Sequence, residues 1–331
     1  MSKADLLLEI KDLHVSFKSY RGPLKVLDGV NLTVGKGEKV GLVGETGCGK
    51  TTTMKAVMRI LPTGQALIPR GEITFKGKDV LKMKTAELLK LRRSGVSMIF
   101  QDPTAALNPV FSVGNQIGDV IKYARVYQTG AETMGIRGVA VKALSEVSLP
   151  DPERMLESYP IQLSGGMRQR VCIAMAVSTP RELLIADEPG TSLDVTIQDQ
   201  VLRLIRTLVE KKGTSVVLVT HSLGVVREMT DRVYVMYAGN IVEVAPTRDL
   251  FADPLHPYTI ALMGCVPKLS GGGISEGIPG RMPDYLNPPK GCRFHPRCSR
   301  AKPICREEKP APLQVGKDHQ VACFLYQDDR G

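Results

Sequence analysis

Residues Gly44, Glu45, Thr46, Gly47, Cys48, Gly49, Lys50 and Thr51 set two glycines at a fixed spacing and follow the second with a lysine and a hydroxyl residue. That pattern suits the cradling of a phosphate chain. Glycines let the backbone curl until several N–H groups point at one anion. A helix beginning at the same point adds its positive end. Lys50 then reaches the β- and γ-phosphates, and the Thr51 hydroxyl is placed to ligate Mg²⁺. Thr52, next along, belongs to the same binding set. A second set of chemistry-bearing residues closes the apolar run Leu183 to Ala186: the acids Asp187 and Glu188. Asp187 is suited to hold Mg²⁺ through its water shell, and Glu188 to polarise the water that attacks a γ-phosphate.

These groups need particular elements beneath them. The apolar run Val40 to Val43 reads as a buried strand entering the glycine loop, and Thr51 to Ile60 as the helix leaving it. The runs Leu183–Ala186 and Val216–Val219 read as parallel strands covered on both faces, with a helix from Ile197 to Lys211 between them. Two carboxylates at the C-terminal end of such a strand stand where open α/β sheets bind ligands. Upstream, Leu7–Ile10, Val15–Phe17 and Asn31–Val34 are short β-like runs. Gly71 to Gly77 is a further strand flanked by glycines, and Val96 to Phe100 a buried strand ending at Gln101. From Asn115 to about Ser158 apolar residues recur at three- and four-residue steps, as in helices.

The length of 331 residues favours one large and one small domain. The net charge is +10, but no run of five or six basic residues occurs, so charge alone does not point to nucleic acid. Trp is absent and aromatics are few, which argues against a stacking platform for single strands. No apolar stretch approaches the ~20 residues that span a bilayer, and the N-terminus lacks the marks of a secretory signal. A cytosolic protein, or one peripheral on the cytosolic face of a membrane, is expected. There, seven cysteines are better read as core residues or metal ligands than as disulfides.

Between the two phosphate-related motifs lies Leu163-Ser164-Gly165-Gly166-Met167, followed by Arg168-Gln169-Arg170 and an apolar helix over Val171–Val177. In this order the chain resembles the ABC-type ATPases, with Ser164, Gly165 and Gly166 as the signature motif. Gln101 matches the family's Q-loop, Ser192-Leu193-Asp194 its D-loop, and His221, after the strand Val216–Thr220, its switch histidine. Tyr20 stands where the family stacks an aromatic on adenine, with Phe17 as a rival.

The resemblance implies a fold and a mechanism. The fold is α/β, a phosphate-loop NTPase of the ABC-ATPase type: a RecA-like parallel-sheet core, an antiparallel β subdomain and an α-helical subdomain at about 105–165. Two ATPase units pair head to tail, with each ATP between one chain's phosphate loop and the other's Ser164 and Gly166. Gln101 senses Mg²⁺ and links the site to the helical region. His221 contacts the γ-phosphate and helps hold the attacking water, and Asp194 joins the nucleotide set.

From Pro267 onward the composition shifts. Nine of the 22 prolines and four of the seven cysteines lie there. Ser270 to Gly273 reads as a flexible joint. So much proline argues against packed helix or sheet. Cys292, Cys298, Cys305 and Cys323 are separated by five, six and seventeen residues. Four thiolate ligands are the favoured reading, with two disulfides or a zinc site as alternatives, the latter open to His295 and His319.

The segments His256–Thr259, Ile278–Gly280 and Gly291–Cys298 resemble the C-terminal region of oligopeptide/dipeptide-type ABC importer ATPases. So do Phe100–Pro103, Ala106–Pro109 and Met167–Arg170. That resemblance implies a [4Fe–4S] cluster on the four cysteines, Zn²⁺ being the alternative, in a small irregular metal-binding domain. It also divides the chain into an ATPase domain over 1–266 and an extension over 267–331. The implied partners are a second ATPase subunit (a heterodimer, or a homodimer), two transmembrane permease subunits and an external substrate-binding protein, with no nucleic acid. The implied place is the cytoplasmic face of the inner membrane. Cys48 departs from the serine common in relatives, and a thiol there is expected to make the site sensitive to oxidation or alkylation. Gly190 and Ser192 stand where relatives often carry Thr and Ala. Two competing functions are a soluble ABC ATPase acting on DNA or ribosomes and an electron carrier built on the tail.

Overall fold

The computed structural model describes residues 5–124, 135–191, 193–265 and 277–327. Its strands are β1 (Leu6–Phe17), β2 (Leu24–Gly35), β3 (Lys39–Val43), β4 (Ala66–Phe75), β5 (Lys78–Asp79), β6 (Val96–Ile99), β7 (Leu183–Asp187), β8 (Ser215–Thr220), β9 (Arg232–Tyr237), β10 (Asn240–Pro246), β11 (Leu313–Gly316) and β12 (His319–Val321). The chain divides into two compact units, Met1–Met83 with Leu218–Gly331, and Lys84–Val217. The expected boundary at 266/267 and the joint at Ser270–Gly273 lie outside the described residues.

The first unit holds an antiparallel sheet in the order β2-β1-β4-β5. In β1 the residues Leu8, Ile10, Leu13 and Val15 are buried, and Ile10 is flanked by Leu32 and Ile73. Register shifts around Asp12 keep the apolar side inward. The unit's other strands run β3 parallel to β9, then β10, β12 and β11 antiparallel in turn. Strand β3 is the predicted entry to the glycine loop, with Val40, Leu42 and Val43 fully buried. The helix beyond it, Lys50–Val57, is shorter than expected. Arg59 turns left-handed (φ 50°), and its guanidinium donates to the Met83 carbonyl at 2.7 Å, which stops the helix before Pro62.

The proline-rich tail does form sheet, contrary to expectation. Strand β12 pairs with β10, Val321 opposite Glu243, and Ala322 N–H donates to Val242 O at 2.9 Å. The tail's prolines stop at Pro312, leaving 313–321 proline-free. The edge of β10 had backbone groups to satisfy, and Val321 is fully buried there. The tail is further anchored by Phe294, whose ring meets Tyr237 and Tyr258 at centroid distances of 5.0 and 5.4 Å.

In the second unit β6 lies parallel to β7, Ile99 beside Ala186. Helices follow at Val113–Ala124, Gly135–Glu146, Gly165–Val177 and Val195–Lys212. The first buries Val113, Ile117 and Ile121, the four-residue steps of one helix face. All five residues of β7 and all six of β8 are buried, as their unbroken apolar runs require.

Candidate functional site

In the first unit, β3 delivers the chain to Gly44 at φ 152°, where a Cβ would lie 2.1 Å from the Met236 carbonyl oxygen. Gly49, at φ 109°, caps the helix Lys50–Val57, and a Cβ there would meet Leu27 at 2.6 Å. Gly44 is required by space as well as torsion, and Gly49 by its positive φ. Lys50 is buried over the loop and donates from Nζ to Gly44 O (2.7 Å) and Glu45 O (3.1 Å). Thr46 and Gly47 are exposed at the loop's tip, and Thr51 and Thr52 are half-buried on the first helical turn.

Cys48 is fully buried, and burial pushes its thiol up despite the opposing charge of Lys50. The expected sensitivity to oxidation or alkylation is therefore corrected: an inaccessible, protonated thiol is a poor nucleophile. Tyr20 is fully exposed in the turn after β1, while its rival Phe17 is half-buried at the end of that strand. His221 is exposed directly after β8, where Ser222 N–H donates to Thr220 Oγ1 at 3.0 Å.

In the second unit, β7 ends at Asp187, which is buried. Glu188 follows, buried and in the left-handed region (φ 45°). A non-glycine residue held there costs on the order of 1–3 kcal/mol, a strain common where a side chain must be aimed. Its Oε2 accepts from Gln101 Nε2 at 3.2 Å and from Thr191 Oγ1 at 3.0 Å. The structure thus joins Gln101 directly to Glu188. Ser164 caps the helix Gly165–Val177, its Oγ accepting from Met167 N–H at 3.2 Å. A Cβ on Gly166 would sit 3.0 Å from Ile197. Asp194 Oδ1 accepts from Ile197 N–H at 3.0 Å and opens the helix Val195–Lys212. Ser192 lies outside the described residues.

Three further side chains reach the phosphate loop from far along the chain. Glu45 N–H donates to the Tyr258 hydroxyl at 2.8 Å, Tyr285 Oη donates to Gly47 O at 2.7 Å, and Arg297 Nη1 donates to both Glu45 carboxylate oxygens, at 2.9 and 3.1 Å. Sequence reading missed all three as loop contacts. They stand 213, 238 and 252 positions from their partners, and no local spacing carries that signal.

The four tail cysteines line one small cavity with His295, Phe294 and Phe324. Burial pushes Cys292 up to about 11 and also raises Cys298 and Cys323. Among the described residues no group of three His, Cys, Asp or Glu stands in a metal-holding arrangement. The four thiols share this cavity, and burial desolvates those of Cys292, Cys298 and Cys323. All seven cysteines are free, which sets aside the disulfide alternative in this structure. His319 is not among the residues lining that cavity; its Nε2 pairs with Glu243 Oε1 at 2.8 Å.

Comparison with known proteins bears on the whole arrangement. The family model described as "ABC transporter" matches residues 27–191, and "Oligopeptide/dipeptide transporter, C-terminal region" matches 242–305. The oligopeptide transport ATP-binding protein OppD of Bacillus subtilis (strain 168) is 44% identical over 332 residues, covering 99% of this chain and 91% of that protein. The probable peptide ABC transporter ATP-binding protein y4tR of Sinorhizobium fredii is 46% identical, covering 97% and 96%. Among solved structures, the ATP-binding cassette MJ0796, in a dimeric post-hydrolysis state bound to ADP and Pi, is similar with a TM-score of 0.64 at 26% identity, over 73% of this chain and 99% of that one. A phosphate loop on a strand-to-helix turn and an acidic strand end, in this fold, define an ABC-type ATPase. The chain belongs to the oligopeptide/dipeptide family of ABC transporter ATP-binding proteins.

Proposed function

We propose that this chain is the ATP-hydrolysing subunit of an importer for di- or oligopeptides, working as one of a pair of ATPase chains beneath two permease subunits. The observation that carries the reading is the match to the oligopeptide/dipeptide C-terminal region over 242–305, added to near full-length similarity with peptide-transport ATP-binding proteins. The ATPase part is proposed over 1–266, with helical residues about 105–165, and the extension over 267–331.

The proposed roles follow the chemistry of each group. Tyr20 stacks on adenine. The backbone from Gly44 to Thr52 cradles the phosphates, and Lys50 neutralises the β- and γ-phosphate charge. Thr51, Gln101 and Asp187 would hold Mg²⁺, which when bound offsets charge on the departing phosphate. Glu188 takes a proton from the attacking water, and His221 helps to hold that water in line. The Ser164–Gly166 helix start of one chain faces the γ-phosphate bound by the other, with Asp194 at the same seam. Hydrolysis leaves two anionic products there, whose repulsion parts the pair.

The permease docks on the helical region, which exposes Val110, Phe111, Tyr159 and Ile161. Val113 N–H bonds to Ser158 O at 2.9 Å, so the stretches bearing these residues run side by side. The proposed place is peripheral, on the permeases at the cytoplasmic face; no helix among the described residues is long and apolar enough to cross a membrane. Delivery by an external binding protein completes the proposed assembly.

Cys292, Cys298, Cys305 and Cys323 present an all-sulfur donor set on one cavity. Such a set suits an iron–sulfur cluster, proposed as [4Fe–4S], with Zn²⁺ as alternative. These four residues would hold it, and its chemistry when bound is that of a clip on a segment with little core. Anaerobic protein is expected to be brown, with absorbance near roughly 400 nm and iron and sulfide in stoichiometric amounts. Stoichiometric zinc without iron would reject the cluster. Reconstitution with permeases and binding protein tests the main reading. Peptide-loaded binding protein is expected to raise ATP turnover and drive peptide accumulation; turnover indifferent to it would overturn the proposal.

A further inference from the structure

For loop N–H groups to converge on an anion, the carbonyls of the same peptides must turn outward and find donors there. Most loop carbonyls find them on the following helix or on a backbone N–H. Gly44 O and Glu45 O accept from Lys50, Cys48 O accepts from Gly239 N–H at 2.7 Å, and Gly49 O accepts from Thr53 N–H at 3.0 Å. Gly47 O is different, because its donor is a side chain 238 positions away, Tyr285. Gly47 is also the loop glycine with nothing within 4 Å of a Cβ position, at φ 84°. Packing does not hold that peptide; the Tyr285 hydroxyl does. Two residues earlier, the Glu45 carboxylate is held by Arg297, whose side chain is only 4% exposed. Arg297 is itself fixed by Pro279 O (2.8 Å), Ile278 O (3.0 Å) and the Tyr237 hydroxyl (3.3 Å).

We propose that Tyr285 and Arg297 are positioning residues for the phosphate loop. They keep the Gly47 carbonyl and the Glu45 side chain turned outward, so that the loop is aligned before nucleotide arrives. The extension is thereby part of the nucleotide-binding apparatus. This rests on the reading that the loop binds ATP. The affinity gain comes from preorganisation: without the brace, nucleotide binding must itself order the loop.

The test uses the full chain and three variants that preserve shape. Tyr285→Phe removes one neutral hydrogen bond and should weaken MgATP binding about 3- to 10-fold. Turnover at saturating ATP should stay within about twofold of the unaltered protein, since the effect falls on KM. Arg297→Gln removes a charge-assisted contact from Nη1 to the carboxylate and should weaken binding by about 10-fold or more, with partial rescue in Arg297→Lys. Tyr326→Phe is the control. Its hydroxyl donates to Leu255 O at 2.8 Å in the same extension but does not touch the loop. It should lose thermal stability like Tyr285→Phe while keeping MgATP affinity. Equal affinity in Tyr285→Phe and the unaltered protein overturns the proposal, as does equal loss in the Tyr326 control. If the unaltered chain does not bind MgATP, the ATP reading falls and this proposal with it. Should Arg297 variants not fold, the Tyr285 and Tyr326 pair still decides.

Discussion

Replacing Glu188 by glutamine isolates its chemistry from its structural role. One carboxylate oxygen of Glu188 accepts two hydrogen bonds, from Gln101 at 3.2 Å and Thr191 at 3.0 Å. A glutamine amide oxygen can accept both in the same place. The reversed amide would set its NH₂ against the Gln101 NH₂ and leave that donor unmatched, costing on the order of 1–3 kcal/mol, so it is disfavoured. The φ of 45° is equally open to Gln and Glu, so backbone strain is unchanged. Global stability should therefore shift by less than about 1 kcal/mol. What is lost is the proton acceptor. General base catalysis is worth roughly 10²–10⁴-fold, or about 2.7–5.4 kcal/mol at 1.36 kcal/mol per decade. Phosphate release at saturating MgATP, together with equilibrium MgATP binding, separates these terms. The expectation is unchanged binding and turnover reduced by at least about 100-fold. Turnover within twofold of the unaltered chain would remove Glu188 as the essential base. Lost binding with lost turnover would show that the carboxylate's role is structural.

Three other outcomes follow from particular side chains. Tyr20→Ala should raise KM for ATP about 5- to 160-fold, since base stacking on an aromatic is worth about 1–3 kcal/mol; an unchanged KM would refute the adenine contact. Cys48 should resist native-state alkylation, followed by mass spectrometry, and react only in denaturant; labelling at the rate of an exposed thiol would contradict its burial. His256 is fully buried, accepts from Tyr258 N–H at 3.0 Å, and is pushed down by burial to about 3 from 6.5. Its folded value is depressed, so the stability it contributes is complete above pH 6.5 and is lost as pH falls towards 3. By pH 5 that loss is about 2 kcal/mol. His256→Asn keeps a capping oxygen but does not titrate, so denaturant unfolding between pH 7 and 5 should show a flatter acid limb. Identical slopes would count against this linkage.

Much of the fold was legible because its signals are local. A strand of Val40 to Val43, then glycines at 44, 47 and 49, then a helix start, depends on torsions within a dozen residues. The unbroken apolar runs of β7 and β8 announced strands covered on both faces. Asp187 and Glu188 were legible because a strand's end is where its last side chains meet a binding crevice. Helix limits were less so: the stop at Arg59 depends on carbonyls at Val80 and Met83. The tail was misjudged because prolines were counted over the whole segment, while the strand sits in its proline-free stretch.

By itself the sequence determined the phosphate loop, the acidic strand end and the order of the nucleotide motifs, since each is written in neighbouring residues and their backbone torsions. Only the tertiary structure decided that Cys48 is sealed from solvent and that His319 belongs to Glu243. The same is true of the brace that Tyr258, Tyr285 and Arg297 place on the loop. The reason is physical: a buried donor or acceptor takes whichever partner packing brings within about 3 Å, and over two hundred intervening residues no local pattern specifies which that is.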